Sequence, residues 1–282
     1  MTLYDRLAQA RARLAEAGIA DAEASIDVEL YARTILGWDK GRFLMEQKRP
    51  APATLEPTFS EWVERRIQRE PTAYIVGYRE FWGLDFTVTP AVLIPRPETE
   101  SIVDEAIARG HALSAPRIAD IGTGSGCIAV ALALELPEAR LIATDVSEDA
   151  LAVARMNARR HRVSDRIEFL RTSYLGGVDP GFDLITANPP YVRDRDKPGL
   201  SREVRHEPDV ALFGGLEGLR DISGVLSAAS EALVKGGWLI MEFGYGQEPE
   251  VEALIHTQPA LRLDRVQPDL QGIPRTAIIQ RE

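Results

Sequence analysis

The stretch Thr186-Ala187-Asn188-Pro189-Pro190-Tyr191-Val192 follows directly on the apolar run Phe182-Asp183-Leu184-Ile185. Two consecutive prolines lack backbone N–H groups and fix φ, so a strand must stop there. One corner thereby receives a carboxamide, two stiffened peptide units and an aromatic ring. That set suits an acceptor nitrogen whose lone pair is delocalised, as in an amide or an aryl amine. The Asn188 side-chain oxygen and the Pro189 carbonyl offer one acceptor to each N–H of such a nitrogen. They hold it, push electron density onto it and aim its lone pair, while Tyr191 can lie against the planar group and exclude water. With a cationic leaving group no strong base is needed before attack, and the rate comes from positioning and electrostatics. A strand merely stopped by proline would leave Asn188 and Tyr191 unexplained.

A second chemical segment lies upstream, Ala119-Asp120-Ile121-Gly122-Thr123-Gly124-Ser125-Gly126-Cys127. Gly122, Gly124 and Gly126 permit a tight turn and close backbone approach of a ligand at a helix N-terminus. The spacing is GxGxG rather than the GxGxxG of dinucleotide folds, and no GK[ST] tail points to a nucleoside triphosphate. Asp145 ends the next strand, where its two oxygens can accept from both hydroxyls of a ribose. The pattern fits a nucleoside with a short polar tail, S-adenosylmethionine better than NAD, with Asp120 expected to orient the methionine ammonium. Cys127 begins the helix, where a thiolate would be favoured, yet packing is the expected role.

These segments need a frame. Leu3, Leu7, Ala10 and Leu14 repeat at helical spacing after a Thr2 cap and before Gly18. A second helix is expected from Asp21 to Gly37, with Val28, Tyr31 and Ile35 on one stripe. A third carries Phe59, Val63 and Ile67 and is closed by Pro71. Residues 1–71 thus read as a helical N-terminal domain. Residues 72–97 read as a linker containing a hairpin around Gly83, stiffened by Pro90, Pro95 and Pro97. From 98 to 282, after a helix opening near Glu98, strand and helix patterns alternate. Strands are expected at 117–122, 139–146, 166–173, 182–190 and 238–244, and helices at 126–136, 148–161, 223–237 and 249–257. Two closing strands near 261–266 and 275–280, joined by a short turn, form an antiparallel edge pair. Apolar strands separated by helices predict an α/β fold with a doubly wound, mainly parallel sheet. Its first and fourth strands are neighbours, and ligands sit beyond the strands' carboxyl ends.

Composition removes several classes. The 282 residues are 45% hydrophobic and 27% charged, as in an ordinary globular chain. The longest apolar run, Cys127 to Leu136, is too short for a bilayer, and the N-terminus lacks the apolar core of a signal peptide. A single cysteine fits a reducing, cytoplasmic setting. His111, His161, His206 and His256 have no metal-ligand spacing. A net charge of −10 is the wrong sign for a protein built around nucleic-acid phosphates.

The succession ADIGTGSG, TDVS, NPPY resembles class I S-adenosylmethionine-dependent methyltransferases that act on planar amino groups. Within them, PTAYIVGYREFWGLDFTVTPAVLIPRPETE and RHEPDVALFGGLEGL are similar to the release-factor glutamine methyltransferases, the HemK/PrmC family. The likeness spans essentially the whole chain. It implies a seven-stranded methyltransferase domain with a helical N-terminal domain for substrate recognition. It also implies N5-methylation of the glutamine in the GGQ loop of peptide chain release factors. The family's cofactor loop falls on Gly122, Thr123, Gly124, Ser125 and Gly126, its ribose acid on Asp145, and its substrate clamp on Asn188, Pro189, Pro190 and Tyr191, with Asn188 also beside the cofactor. Asn188, Pro189 and Tyr191 are thus the expected catalytic set.

Two segments depart from the family pattern. Where an acid precedes an aromatic after the third strand, this chain has Ser173-Tyr174, so Tyr174 keeps the adenine contact without the acid. Asp269-Leu270-Gln271-Gly272-Ile273-Pro274-Arg275 replaces the commoner AGRDR ending and bears on the edge strands. The PRPETE loop encloses the cofactor in the family, although Glu98 and Glu100 also suit a helix N-terminus. NPPY serves adenine-N6 DNA methyltransferases too, which must flip their base; the acidic charge and the lack of a large basic domain count against that. A ribosomal-protein glutamine methyltransferase shares NPPY and HEP, and the GYREFWG and IPRPETE segments favour the release-factor branch. A binding-only module would have no use for the clamp.

Overall fold

The computed structural model describes residues 1–282. It divides into a smaller unit, Met1–Gly77 with Ser201–His206, and a larger one, Tyr78–Leu200 with Glu207–Glu282.

The smaller unit is helical: α1 (Leu3–Glu16), α2 (Asp21–Leu36), α3 (Lys40–Glu46), α4 (Thr58–Ile67) and α5 (Thr72–Val76). Thr2 caps α1 in a reciprocal box with Asp5, and Gly37 in the left-handed region ends α2. Leu3, Leu7, Ala10, Leu14, Val28, Tyr31, Phe59 and Val63 form its core. Two short helices go beyond the sequence reading. In α3 only Phe43 is buried, so no stripe announces it, and α5 is a single turn between Pro71 and Gly77. Arg66 is 1% exposed and donates to Asp27 at 2.8 Å, to Glu203 at 2.9 Å and to Glu23.

The larger unit opens with a hairpin, β1 (Tyr78–Phe81) and β2 (Leu84–Thr87). Trp82 and Gly83 both have positive φ, the turn that matches strand twist. There follow α6 (Glu100–Gly110), β3 (Arg117–Ile121), α7 (Cys127–Glu135), β4 (Arg140–Asp145), α8 (Glu148–Arg160), β5 (Ile167–Arg171) and β6 (Phe182–Ala187). Then come α9 (Asp209–Leu212), α10 (Arg220–Ala232), β7 (Leu233–Glu242), α11 (Glu248–His256), β8 (Leu261–Pro268) and β9 (Pro274–Arg281). The seven-stranded sheet has the order β5-β4-β3-β6-β7-β9-β8, parallel except for β9 with its two neighbours. This is the doubly wound α/β sheet expected, with β3 and β6 adjacent and an antiparallel edge pair.

The helix expected to run to residue 237 stops at Ala232, because β7 takes over at Leu233 and reaches Trp238 through an irregular register at β6. Two apolar cores flank the sheet. One gathers α6, α7 and α8 with Phe81 and Phe86 of the hairpin, and the other gathers α10 and α11. The buried Asn157 of α8 accepts from Thr87 N at 2.8 Å and donates to the Thr87 and Ser125 carbonyls at 3.0 and 2.8 Å. One carboxamide thereby joins hairpin and glycine loop.

Candidate active site

Strand register sets the site. Ile121 pairs with Ala187, and Ala187 with Met241, so one residue further on Gly122, Asn188 and Glu242 lie in a row at the carboxyl ends of β3, β6 and β7. A cleft of roughly 250 Å³ opens above them. Its walls include Gly122, Thr123, Gly124 and Ser125, then Asp145, Ser173 and Tyr174, and finally Asn188, Pro189 and Pro190.

The glycine loop is fastened from behind. Gly122 and Thr123 N–H groups donate to the Thr144 carbonyl at 2.9 Å, and Gly124 N–H donates to Asp145 at 2.9 Å. The other Asp145 oxygen accepts from Ser147 N at 2.9 Å. Each carboxylate oxygen has more than one acceptor site, so both remain able to accept from a ligand's hydroxyls. Burial raises the Asp145 pKa, against the backbone N–H groups that lower it. A Cβ at Gly122 would touch no atom within 4 Å, so the space over the loop is left to a ligand. Gly126 does not line the cleft. Its φ is +80°, and a side chain there would press on Ala154 of α8 at 3.0 Å, so it serves helix packing.

Two expectations change. Asp120, expected to orient an ammonium group, lies beneath the loop at 1% exposure and is absent from the cleft wall. It accepts from Thr123 and Thr186 hydroxyls at 2.6 and 2.9 Å. Burial pushes its pKa up to about 6, the hydroxyls opposing and Asp145 adding to the rise. Tyr191 is likewise not on the wall: its partly buried ring packs against the core that includes α10, and its hydroxyl donates to Glu242 at 3.1 Å. Cys127 does reach the wall, and burial pushes its thiol up to about 12, so packing rather than thiolate chemistry is its role.

Asn188 Nδ2 donates to Thr99 Oγ1 at 3.0 Å, and Thr99 donates in turn to Glu242 at 2.7 Å. No protein group donates to the Pro189 carbonyl. Behind the corner, Gln247 Nε2 donates to the Tyr191 carbonyl at 3.1 Å. Gly218, at φ +71°, comes so close that any Cβ would overlap that same carbonyl. The PRPETE loop meets the cleft through Pro95, Arg96 and Thr99.

The sequence reading passed over Thr99, Glu207, Asp221, Glu242 and Gln247. Glu242 left a trace, a lone acid closing the apolar run Trp238 to Met241. Asp221 lines the cleft and accepts from the Tyr174 hydroxyl at 3.1 Å. It puts a carboxylate beside Tyr174, where Ser173 supplies none.

Comparison with known proteins bears on this cleft. Residues 5–77 match the model of the PrmC N-terminal domain, and residues 107–207 match that of the methyltransferase small domain. The release factor glutamine methyltransferase of Bradyrhizobium diazoefficiens is 42% identical over 90% of this chain and 86% of its own length. That of Moorella thermoacetica is 38% identical over 100% of this chain and 99% of its own. The chain belongs to the release factor glutamine methyltransferase family. It is an S-adenosylmethionine-dependent methyltransferase by that membership, and the sheet agrees. A solved methyltransferase from Pyrococcus furiosus superposes with a TM-score of 0.53 at 18% identity, over 71% of this chain and 90% of its own, a likeness of fold. No helix is long and apolar enough to cross a membrane.

Proposed function

We propose that this chain, in the cytoplasm, methylates the side-chain amide nitrogen of the GGQ-loop glutamine in peptide chain release factors, with S-adenosylmethionine as donor. The observation that carries the reading is the single cleft bounded at one side by the glycine loop and Asp145 and at the other by Asn188 and Pro189. Open space above Gly122, and acceptor capacity left on both Asp145 oxygens, fit a nucleoside with an amino-acid tail.

Gly122 to Ser125 would hold the tail, Asp145 the ribose hydroxyls, and Tyr174 with Asp221 the adenine. When bound, the cofactor supplies a methyl on cationic sulfur: the nitrogen lone pair takes the methyl, sulfur keeps the bonding pair as a neutral thioether, and the nitrogen releases one proton to solvent.

The chain's own residues prepare the nitrogen. Asn188 Oδ1 and the Pro189 carbonyl accept its two N–H bonds, which fixes the amide plane and raises electron density on nitrogen. Pro190 stiffens the corner, and Tyr191 anchors it through Glu242.

Incubating the protein with labelled cofactor and a release factor, then mapping peptides by mass, should place one methyl on the GGQ glutamine. Asn188→Ala should keep binding S-adenosylhomocysteine in calorimetry while losing transfer, the mark of a transition-state contact. Transfer at the wild-type rate in that variant would refute the clamp.

A further inference from the structure

Two residues outside the NPPY corner decide which way its carboxamide faces. Thr99, from the turn before α6, has one hydroxyl proton, and it points to Glu242 Oε2 at 2.7 Å. A hydroxyl that has given its proton away can only accept. Asn188 lies 3.0 Å from that oxygen and must therefore present Nδ2 to it, which leaves Oδ1 as the end free for a ligand. The second Glu242 oxygen takes the Tyr191 hydroxyl at 3.1 Å, so both ends of NPPY rest on one carboxylate. Glu242 and Thr99 are 1% and 3% exposed. At such burial the chain is fully formed or costly, and each bond polarises the next.

We infer that Glu242 and Thr99 are positioning residues for methyl transfer: together they lock the Asn188 carboxamide with Oδ1 towards the acceptor amide. This rests on Asn188 being the clamp, as proposed above. The arrangement depends on Glu242 being ionised. With its proton on Oε2, a neutral Glu242 donates to Thr99, Thr99 then donates to Asn188, and the carboxamide turns its N–H bonds towards the substrate. A donor facing a donor repels the amide instead of holding it. Glu242 is faced by Tyr191 from the corner, Thr99 and Glu98 from the turn before α6, and Arg275 from β9. Burial raises its pKa, with the Glu98 charge adding and the Thr99 and Tyr191 bonds and the Arg275 charge opposing. Methyl transfer should thus fall on the acid side with a midpoint above the ordinary glutamate range.

The test compares Thr99→Val, Thr99→Ser and Glu242→Met for kcat and KM with a release factor, for S-adenosylhomocysteine affinity, and for melting temperature. Thr99→Val, which keeps the shape and removes the hydroxyl, should lower kcat by about 10- to 100-fold, with KM and cofactor affinity nearly unchanged. Thr99→Ser should restore most of that rate. The acid limb of the kcat–pH profile should vanish in Thr99→Val, because Glu242 no longer reaches Asn188. Glu242→Met, which removes both acceptor oxygens, should show the same loss confined to kcat, and it decides the matter if Thr99→Val melts before assay. Wild-type kcat in Thr99→Val or Glu242→Met, or equal loss in Thr99→Val and Thr99→Ser, overturns the inference. If Asn188→Ala transfers normally in the same assay, the clamp reading has failed. If it does not transfer while these variants do, only the present inference has.

Discussion

Glu207 holds Arg96 at 2.5 Å with one carboxylate oxygen and the Ile94 N–H at 3.0 Å with the other. Glu207 of HEP and the IPRP segment, more than a hundred residues apart in sequence, are therefore tied together, and Pro95 and Arg96 of that segment line the cleft. Glu207→Ala strands the buried Ile94 N–H and should cost about 2 kcal/mol in urea denaturation, the penalty of an unsatisfied buried donor. Glu207→Gln keeps that acceptor and should cost about half as much, since Arg96 is a third exposed and its pairing is screened. In both variants KM for the protein substrate should rise more than kcat falls. Unchanged stability and KM in Glu207→Ala would remove Glu207 from this role.

The Tyr174 ring lies directly over Gly224 of α10, where a Cβ would overlap its Cζ and hydroxyl atoms. In an ordinary helix interior Gly→Ala gains up to about 1 kcal/mol. Here Gly224→Ala should instead lose about 1–3 kcal/mol, the usual cost of overpacking. It should also weaken S-adenosylhomocysteine binding, because Tyr174 must leave its bond to Asp221. Melting curves and calorimetry read both effects, and a raised melting temperature with unchanged affinity would contradict the packing argument.

Sequence reading reached the elements whose signals are local. The glycine loop, Asp145 and NPPY each announce themselves within a few residues, and the alternation from residue 98 onward predicts the sheet order around β3 and β6. What it missed depends on register and long-range closure. Glu242 is 54 residues beyond Asn188 and becomes its neighbour only because Ala187 pairs with Met241. Asp120 and Tyr191 misled in the opposite sense: their types suit a ligand, but Asp120 is buried beneath the glycine loop and the Tyr191 ring packs against the core with its hydroxyl on Glu242. Short helices such as α3, with one buried residue, leave too little periodicity to see.

Arg66 supplies the strongest stability test in the helical unit. Arg66→Met leaves Asp27, 4% exposed, as an unpaired buried carboxylate, which typically costs about 3–5 kcal/mol. The double variant Arg66→Met with Asp27→Asn should recover much of this, because the stranded charge is gone and the Thr72 hydroxyl, 2.7 Å from Asp27, keeps an acceptor. Hydrogen exchange of α2 and α4 reports the change in this unit alone. Equal destabilisation in the single and double variants would show that packing of the arginine stem, rather than charge pairing, dominates.

Asp120 gives a pH dependence with a definite sign. Its carboxyl titrates at about 6 in the folded chain against 3.8 when unperturbed. Between those values the folded state binds more protons than the unfolded one, so this group's contribution to stability falls as pH rises and levels off above about 6. The gap is roughly two pH units, which corresponds to on the order of 3 kcal/mol. Asp120→Asn does not titrate, and its carboxamide can still accept from one threonine hydroxyl while donating to the other. Stability measured by urea midpoints should therefore improve in Asp120→Asn relative to wild type as pH rises from about 4 to 6, on top of a constant offset from the altered hydrogen bonds. A difference between the two proteins that stays flat across that range would mean that Asp120 ionises as easily folded as unfolded, and that the two hydroxyl bonds offset the whole cost of burial.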